Sequence, residues 1–185
     1  FACFRIGILL NLLHPIASVR SGRVFEGGTM LKEGQAAPMF VLPDADMELI
    51  DIARFRGRNN LILFFYPRDD APCCTLQATD FSDHEDEFAR LNCLIIGISR
   101  DDCIKHAEFR DKHGISVCLL SDAEGLACEQ YGVWQAKEVD GVTKYGILRS
   151  TFVIDKQGVL RLALYGVNAK GHALKMLRAV KELNS

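Results

Sequence analysis

Leu61-Ile62-Leu63-Phe64-Phe65-Tyr66, followed by Pro67-Arg68-Asp69-Asp70-Ala71-Pro72 and then Cys73-Cys74-Thr75-Leu76-Gln77, is the stretch from which the rest of the chain is read. A nearly continuous apolar run of this length fits a central strand covered on both faces better than an edge strand. Pro72 suits the first turn of a helix, where the early N–H groups have no intrahelical acceptor. A cysteine in that turn, as Cys74 is, would feel unpaired backbone N–H groups and the positive end of the helix, and both favour the nucleophilic thiolate. A lone cysteine at a helix start is more often structural than catalytic, so its neighbours must decide.

Outward from this junction the chain alternates. Leu76, Phe81, Phe88 and Leu91, joined by Ala78, give the following helix an apolar stripe, with the acidic run Asp80, Asp83, Glu85, Asp86 and Glu87 as its solvated face. Leu94–Ile98 is the next buried strand, and helix signals resume from Asp102 to Lys112, with Ile104, Ala107 and Phe109 as packing residues and Gly114 as the stop. Val117–Leu120 is a short strand, Asp122–Gln130 a short helix, and an extended excursion or hairpin surrounds Asp140-Gly141. Thr151–Asp155 and Val159–Leu164 form a hairpin with Gly158 in its turn. The stripe Leu174, Leu177 and Val180, extended by Ala173 and Leu183, makes a closing helix. Upstream, Phe40–Leu42 and Glu48–Ala53 are short strand candidates. This order implies an α/β fold: a central mixed sheet flanked by helices on both faces.

The 185 residues are enough for one domain with a substantial core. With a net charge of -2 and basic residues interspersed among acidic ones, the chain offers no clustered surface for nucleic acid, and none for a membrane. Seven cysteines, an odd number scattered through a chain with a full-sized core, do not resemble a secreted disulfide framework, so a reducing, cytoplasmic setting is expected. Cys93, Cys118 and Cys128 lie in or beside apolar segments and read as packing residues. Neither Glu33 nor the five histidines form a metal constellation, and no cofactor is expected. Residues 1–29, with the apolar run Ile6–Leu13 broken by Asn11 and stopped by Pro15, read as a leader, linker or targeting-like segment ahead of a folded domain spanning 30–185.

The segment Phe65–Gln77 resembles the active-site segment of peroxiredoxins, specifically the bacterioferritin-comigratory or Q-type subfamily. The resemblance continues through Gly97-Ile98-Ser99-Arg100-Asp101, Leu120-Ser121-Asp122, Tyr131-Gly132-Val133-Trp134 and Arg149-Ser150-Thr151-Phe152-Val153-Ile154-Asp155. It implies a thioredoxin-like fold and thiol-dependent reduction of hydrogen peroxide or alkyl hydroperoxides. Cys74 takes the peroxidatic position, Pro67 opens the active-site loop, and Arg149 takes the position of an arginine that stabilises the thiolate and orients peroxide. A guanidinium can donate several directional hydrogen bonds to such groups. The implied reductant is thioredoxin, glutaredoxin or a small thiol, and the implied assembly a monomer or weak homodimer.

Two departures stand out. Ala71 occupies a position where the family usually has Thr or Ser, whose hydroxyl helps orient the peroxide, and Cys73 replaces a frequent glycine. Adjacent cysteines bridge poorly, so Cys73 is a poor resolving partner. The positions of familiar resolving cysteines hold Thr79 and Arg110, leaving Cys103, near the start of the next helix, in contest with an external thiol. Gln77 is expected to organise the reactive loop, and Asp69 and Asp70 to stabilise its turns or the helix start. The alternative to a peroxidase is a peroxide-responsive sensor or thiol-disulfide exchange protein with little turnover, motivated by Ala71; a third is a structural or chaperone-like module.

Overall fold

The computed structural model of the protein describes residues 28–185; the leader-like features of residues 1–27 lie outside them. The strand expected at Leu61–Tyr66 is β3, Asn60–Phe65, buried at every position. It sits at the centre of a five-stranded sheet. The other members are β4 (Cys93–Ser99), β5 (Cys118–Ser121), β8 (Ser150–Ile154) and β9 (Leu160–Tyr165). Their order is β5-β4-β3-β8-β9, with β3, β4 and β5 parallel and β8 and β9 antiparallel to their neighbours. The mixed sheet and the thioredoxin-like topology are thus as expected.

Because side chains alternate across a strand, β3 feeds two cores. Leu61, Leu63 and Phe65 join Phe40, Ile50, Ile98, Tyr131 and Phe152 on one face. Ile62, Phe64 and, just past the strand, Tyr66 join Cys74, Phe81, Phe88, Phe109 and Met176 on the other. The first face is covered by α4 (Leu126–Gln130) and by the small ribbon of β1 (Val41–Pro43) and β2 (Leu49–Asp51), which leads into a 3-10 turn at Ile52–Phe55. The second is covered by α1 (Pro72–Asp83), α2 (Glu85–Arg90), α3 (Cys103–His113) and α5 (His172–Leu183). Gly97 in β4 permits this packing: a Cβ there would lie 2.6 Å from the Phe64 ring.

Three helical stripes differ from the sequence reading, each by phase. In α1 the buried set is Cys74, Gln77, Ala78 and Phe81, a clean i, i+3, i+4, i+7 series, and Leu76 is left 48% exposed. The single helix expected through Leu91 is two, broken at His84, whose carbonyl accepts from Glu87 and Phe88 to start α2. Glu85, Asp86 and Glu87 then occupy the first turn, where acidic side chains are favoured. In α3 the buried residues are His106 and Phe109 while Ile104 faces solvent, and in α5 Met176 replaces Leu174. Apolar character misled at Leu76 and Ile104 because Gln77 and His106, polar side chains with internal partners, take the inward phase; in α5 one apolar residue, Met176, is buried in place of another.

The excursion around Asp140-Gly141 is a hairpin, β6 (Trp134–Val139) paired with β7 (Val142–Ile147). Its two turn residues have φ of 53 and 75°, the doubly positive pattern of a type I′ turn. The hairpin at β8–β9 and the stop at Gly114 also match the sequence reading. No helix of the described residues is long and apolar enough to cross a membrane.

Candidate active site

The site lies where β3 hands over to α1. Pro72 is the first helical residue and Ala71 the N-cap, so the first intrahelical bond runs from Thr75 N–H to the Ala71 carbonyl at 2.8 Å. The N–H groups of Cys73 and Cys74 therefore have no acceptor within the helix. Ala71 has no side-chain oxygen to cap them. Cys74 points inward, 1% exposed, whereas its neighbour Cys73 faces solvent.

Arg149 precedes β8, whose first residue, Ser150, pairs with Phe65 of β3. That register sets Arg149 beside the point where the chain leaves β3 for the reactive loop, and its carbonyl is fixed by Val167 N–H at 2.9 Å. One guanidinium nitrogen, Nη2, donates to Cys74 Sγ at 3.2 Å, and the other, Nη1, donates to Gln77 Oε1 at 2.7 Å. Two positions seventy-five residues apart in sequence are thus in direct contact. Gln77 sits one turn beyond Cys74 on the same helix face and is itself buried; its Nε2 has no protein acceptor among the described residues.

Within electrostatic reach of Arg149 is His172, which the sequence reading did not single out. Its Nε2 is 2.9 Å from the Thr151 hydroxyl and its ring meets Phe81 edge-on. Burial, and secondarily Lys175, lowers its pKa from 6.5 to about 4, so the imidazole is neutral near pH 7. A neutral ring there avoids a second cation beside Arg149. No signal in the sequence distinguished it from an ordinary helix-start residue.

The remaining thiols differ from Cys74 in environment. Burial pushes the Cys93 thiol up to about 12 and the Cys118 thiol to about 11, and raises Cys128 further still with help from Asp122. These stay protonated, in agreement with a packing role. Cys103 opens α3, half-buried and free, with Asp102 as N-cap accepting from Lys105 N–H at 2.9 Å. No hydrogen bond or disulfide joins it to Cys74 among the described residues. Nor do the described residues contain a group of three or more potential metal ligands.

The acidic residues of the loop do more than shape turns. Asp70 pairs with Lys112 and His113 of α3, each at 2.6 Å. Asp69 accepts from the Tyr66 hydroxyl at 2.7 Å and meets His106 of α3 at 2.7 Å, while its N–H donates to Asp101 at 2.8 Å. The loop is therefore tied to α3, and neither carboxylate caps α1. Burial and the Asp69 carboxylate hold the Tyr66 phenol well above its usual range, so it is a donor here and not a base. Between the loop and α3 runs an open cleft of about 470 Å³ lined by Arg68, Ala71, Pro72, Lys105 and Glu108.

Comparison with known proteins identifies the family. The AhpC/TSA family model matches residues 33–163. Peroxiredoxin Bcp of Bacillus subtilis is 38% identical over 151 residues, covering 82% of this chain and 96% of that protein. Peroxiredoxin Bcp of Escherichia coli K12 is 37% identical over 152 residues, covering 82% and 97%. The structure of Xanthomonas campestris Peroxiredoxin Q superposes with a TM-score of 0.76 at 31% identity, covering 79% of this chain and 92% of that one. A family match over most of the described chain, near-complete coverage of the relatives and a shared topology lead to one assignment: the chain belongs to the peroxiredoxins, in their bacterioferritin-comigratory or Q-type subfamily.

Proposed function

We propose that Cys74 is the peroxidatic residue and that the protein reduces hydrogen peroxide and organic hydroperoxides through it. Cysteine-based peroxide reduction with thiol reductants is the general chemistry of the family. The observation that carries the residue assignment is the Arg149 Nη2 contact with Cys74 Sγ at 3.2 Å, at the start of a helix with free N–H groups. A guanidinium and the helix end both favour the thiolate, and both are placed where charge develops as the reaction proceeds.

In the reaction the Cys74 thiolate attacks the terminal oxygen of ROOH. An S–O bond forms, the O–O bond breaks, and the leaving alkoxide or hydroxide takes a proton to depart as alcohol or water. The sulfur is oxidised to sulfenic acid. A thiol then attacks that sulfur, releasing water and forming a disulfide, and a second thiol reduces the disulfide to regenerate Cys74. That first attacker is an external thiol, from thioredoxin, glutaredoxin or a small molecule, or Cys103, which opens α3 as a half-buried free thiol.

The test is anaerobic peroxide titration of the reduced protein, with rapid kinetics and intact-mass analysis, for wild type, Cys74→Ser and Cys103→Ser. Fast stoichiometric peroxide loss that vanishes in Cys74→Ser and persists in Cys103→Ser is expected. Peroxide loss that survives Cys74→Ser would overturn the assignment, and a Cys74–Cys103 disulfide in oxidised wild type would assign resolution to Cys103. The sensor reading rests on Ala71, which leaves the helix end without a hydroxyl. It predicts one rapid oxidation per chain and no sustained turnover with thioredoxin or glutathione supplied.

A further inference from the structure

His106 is fully buried on α3, and each of its ring nitrogens faces an acceptor. Nε2 lies 3.1 Å from the Leu120 carbonyl, an oxygen that has no proton to give, so Nε2 must be the donor. Nδ1 lies 2.7 Å from Asp69 Oδ2. A neutral imidazole that donates through Nε2 carries a lone pair on Nδ1, and a lone pair and a carboxylate oxygen at that separation repel unless a proton lies between them.

The second carboxylate oxygen, Oδ1, accepts from Tyr66 at 2.7 Å, and the Asp69 N–H reaches Asp101, whose carboxylate also accepts from Ser99. Asp69 thus holds Tyr66 just past β3, His106 of α3 and Asp101 of the β4–α3 turn through its side chain and backbone together. It stands five residues before Cys74, on the segment whose path sets where α1 begins. A buried ion pair of this kind contributes little net stability, because desolvation offsets the attraction, so its value here is the geometry it enforces.

We propose that Asp69 and His106 form a proton-bridged positioning pair that fixes the reactive loop, and through it the aim of Cys74 at Arg149. This deepens the peroxidase reading and rests on it. Neither residue touches the reacting atoms. The pair acts by fixing the handover from β3 to α1, where a displacement on the order of 1 Å can cost about 100-fold in rate. Replacement of Asp69 by Asn should keep the connections in a proton-free form: its amide N–H donates to a neutral Nδ1, while its oxygen still accepts from Tyr66.

Side-chain ¹⁵N NMR of the reduced wild-type protein tests the bridge, and does so whether or not the protein turns over peroxide. A proton signal coupled to each ring nitrogen of His106 is expected, and a plain Nε2–H tautomer overturns the proposal. Kinetics test the positioning. Asp69→Ala, which leaves His106 free to become neutral without stranding a charge, is expected to slow Cys74 oxidation at least about 10-fold in folded protein of wild-type secondary structure. It should also alter the thiolate titration read at 240 nm. Asp69→Asn is expected to restore at least a third of the wild-type rate with His106 neutral. If Asp69→Ala changes only the melting temperature, or if Asp69→Asn is as slow as Asp69→Ala, the positioning role is wrong. Peroxide inertness of wild type itself would refute the peroxidase reading and leave the NMR result standing on its own.

Discussion

Arg149 and Gln77 are joined by a 2.7 Å hydrogen bond that leaves the second guanidinium nitrogen directed at Cys74. A long, flexible side chain is thereby held in one orientation by a buried amide on the same helix face as the thiol it serves. Gln77→Met retains bulk and removes the acceptor. The Cys74 reaction with peroxide is expected to slow about 10-fold, a loss of about 1.4 kcal/mol in the barrier. Stopped-flow kinetics measures it; an unchanged rate would mean that the backbone alone positions Arg149.

Arg149→Lys keeps a positive charge but cannot reach Gln77 and Cys74 through two separate nitrogens of a planar fork. The rate is expected to fall about 100-fold or more, comparable to removing one donor from an oxyanion site. Arg149→Met should be slower still. Comparing the two separates the charge from the geometry, and equal rates for wild type and Arg149→Lys would remove directionality from the account.

Ala71 leaves the first turn of α1 without a side-chain cap. Ala71→Thr supplies a hydroxyl acceptor for the free N–H groups, and about 1 kcal/mol of added stability is expected. That corresponds to a rise of about 2–4 °C in Tm for a chain of this size. Faster reaction with hydrogen peroxide is expected as well, since the same hydroxyl can orient the substrate. Calorimetry and peroxide kinetics read the two effects independently.

His172 makes the fold sensitive to acid. Its folded-state pKa is lowered to about 4 by burial, against 6.5 in an exposed chain. Between these values the unfolded state binds the proton more readily, so stability falls as pH drops through that window, by on the order of 3 kcal/mol. Above 6.5 the ring is neutral in both states and adds no slope; below about 4 both states are protonated and the loss is complete. Urea melts from pH 7.5 to 4 should show a steeper decline for wild type than for His172→Phe, which keeps the edge-on packing against Phe81.

The strand–loop–helix junction around Cys74 was legible in the sequence, since a run of apolar residues ending in a loop and Pro72 has few structural solutions; Arg149 was singled out only by the family resemblance. The hairpins were legible for a similar local reason: Asp140-Gly141 and Gly158 occupy backbone conformations with positive φ. Helix phase was legible only in part. Leu76, Ile104 and Leu174 had the apolar character of core residues, yet Gln77, His106 and Met176 took the inward positions. For Gln77 and His106, partners on distant segments offset the cost of burial, and those partners are invisible from within one helix.

By itself the sequence determined the class of the fold, the placement of a cysteine in the first turn of a helix, and the family, because these depend on local periodicity, backbone conformational preference and ordered motifs. Only the tertiary structure decided that Arg149 touches both Cys74 and Gln77, and that Asp69 and Asp70 turn toward α3 instead of capping α1. Side-chain contacts between segments tens of residues apart follow from sheet register and helix docking, and both are set by the whole core at once.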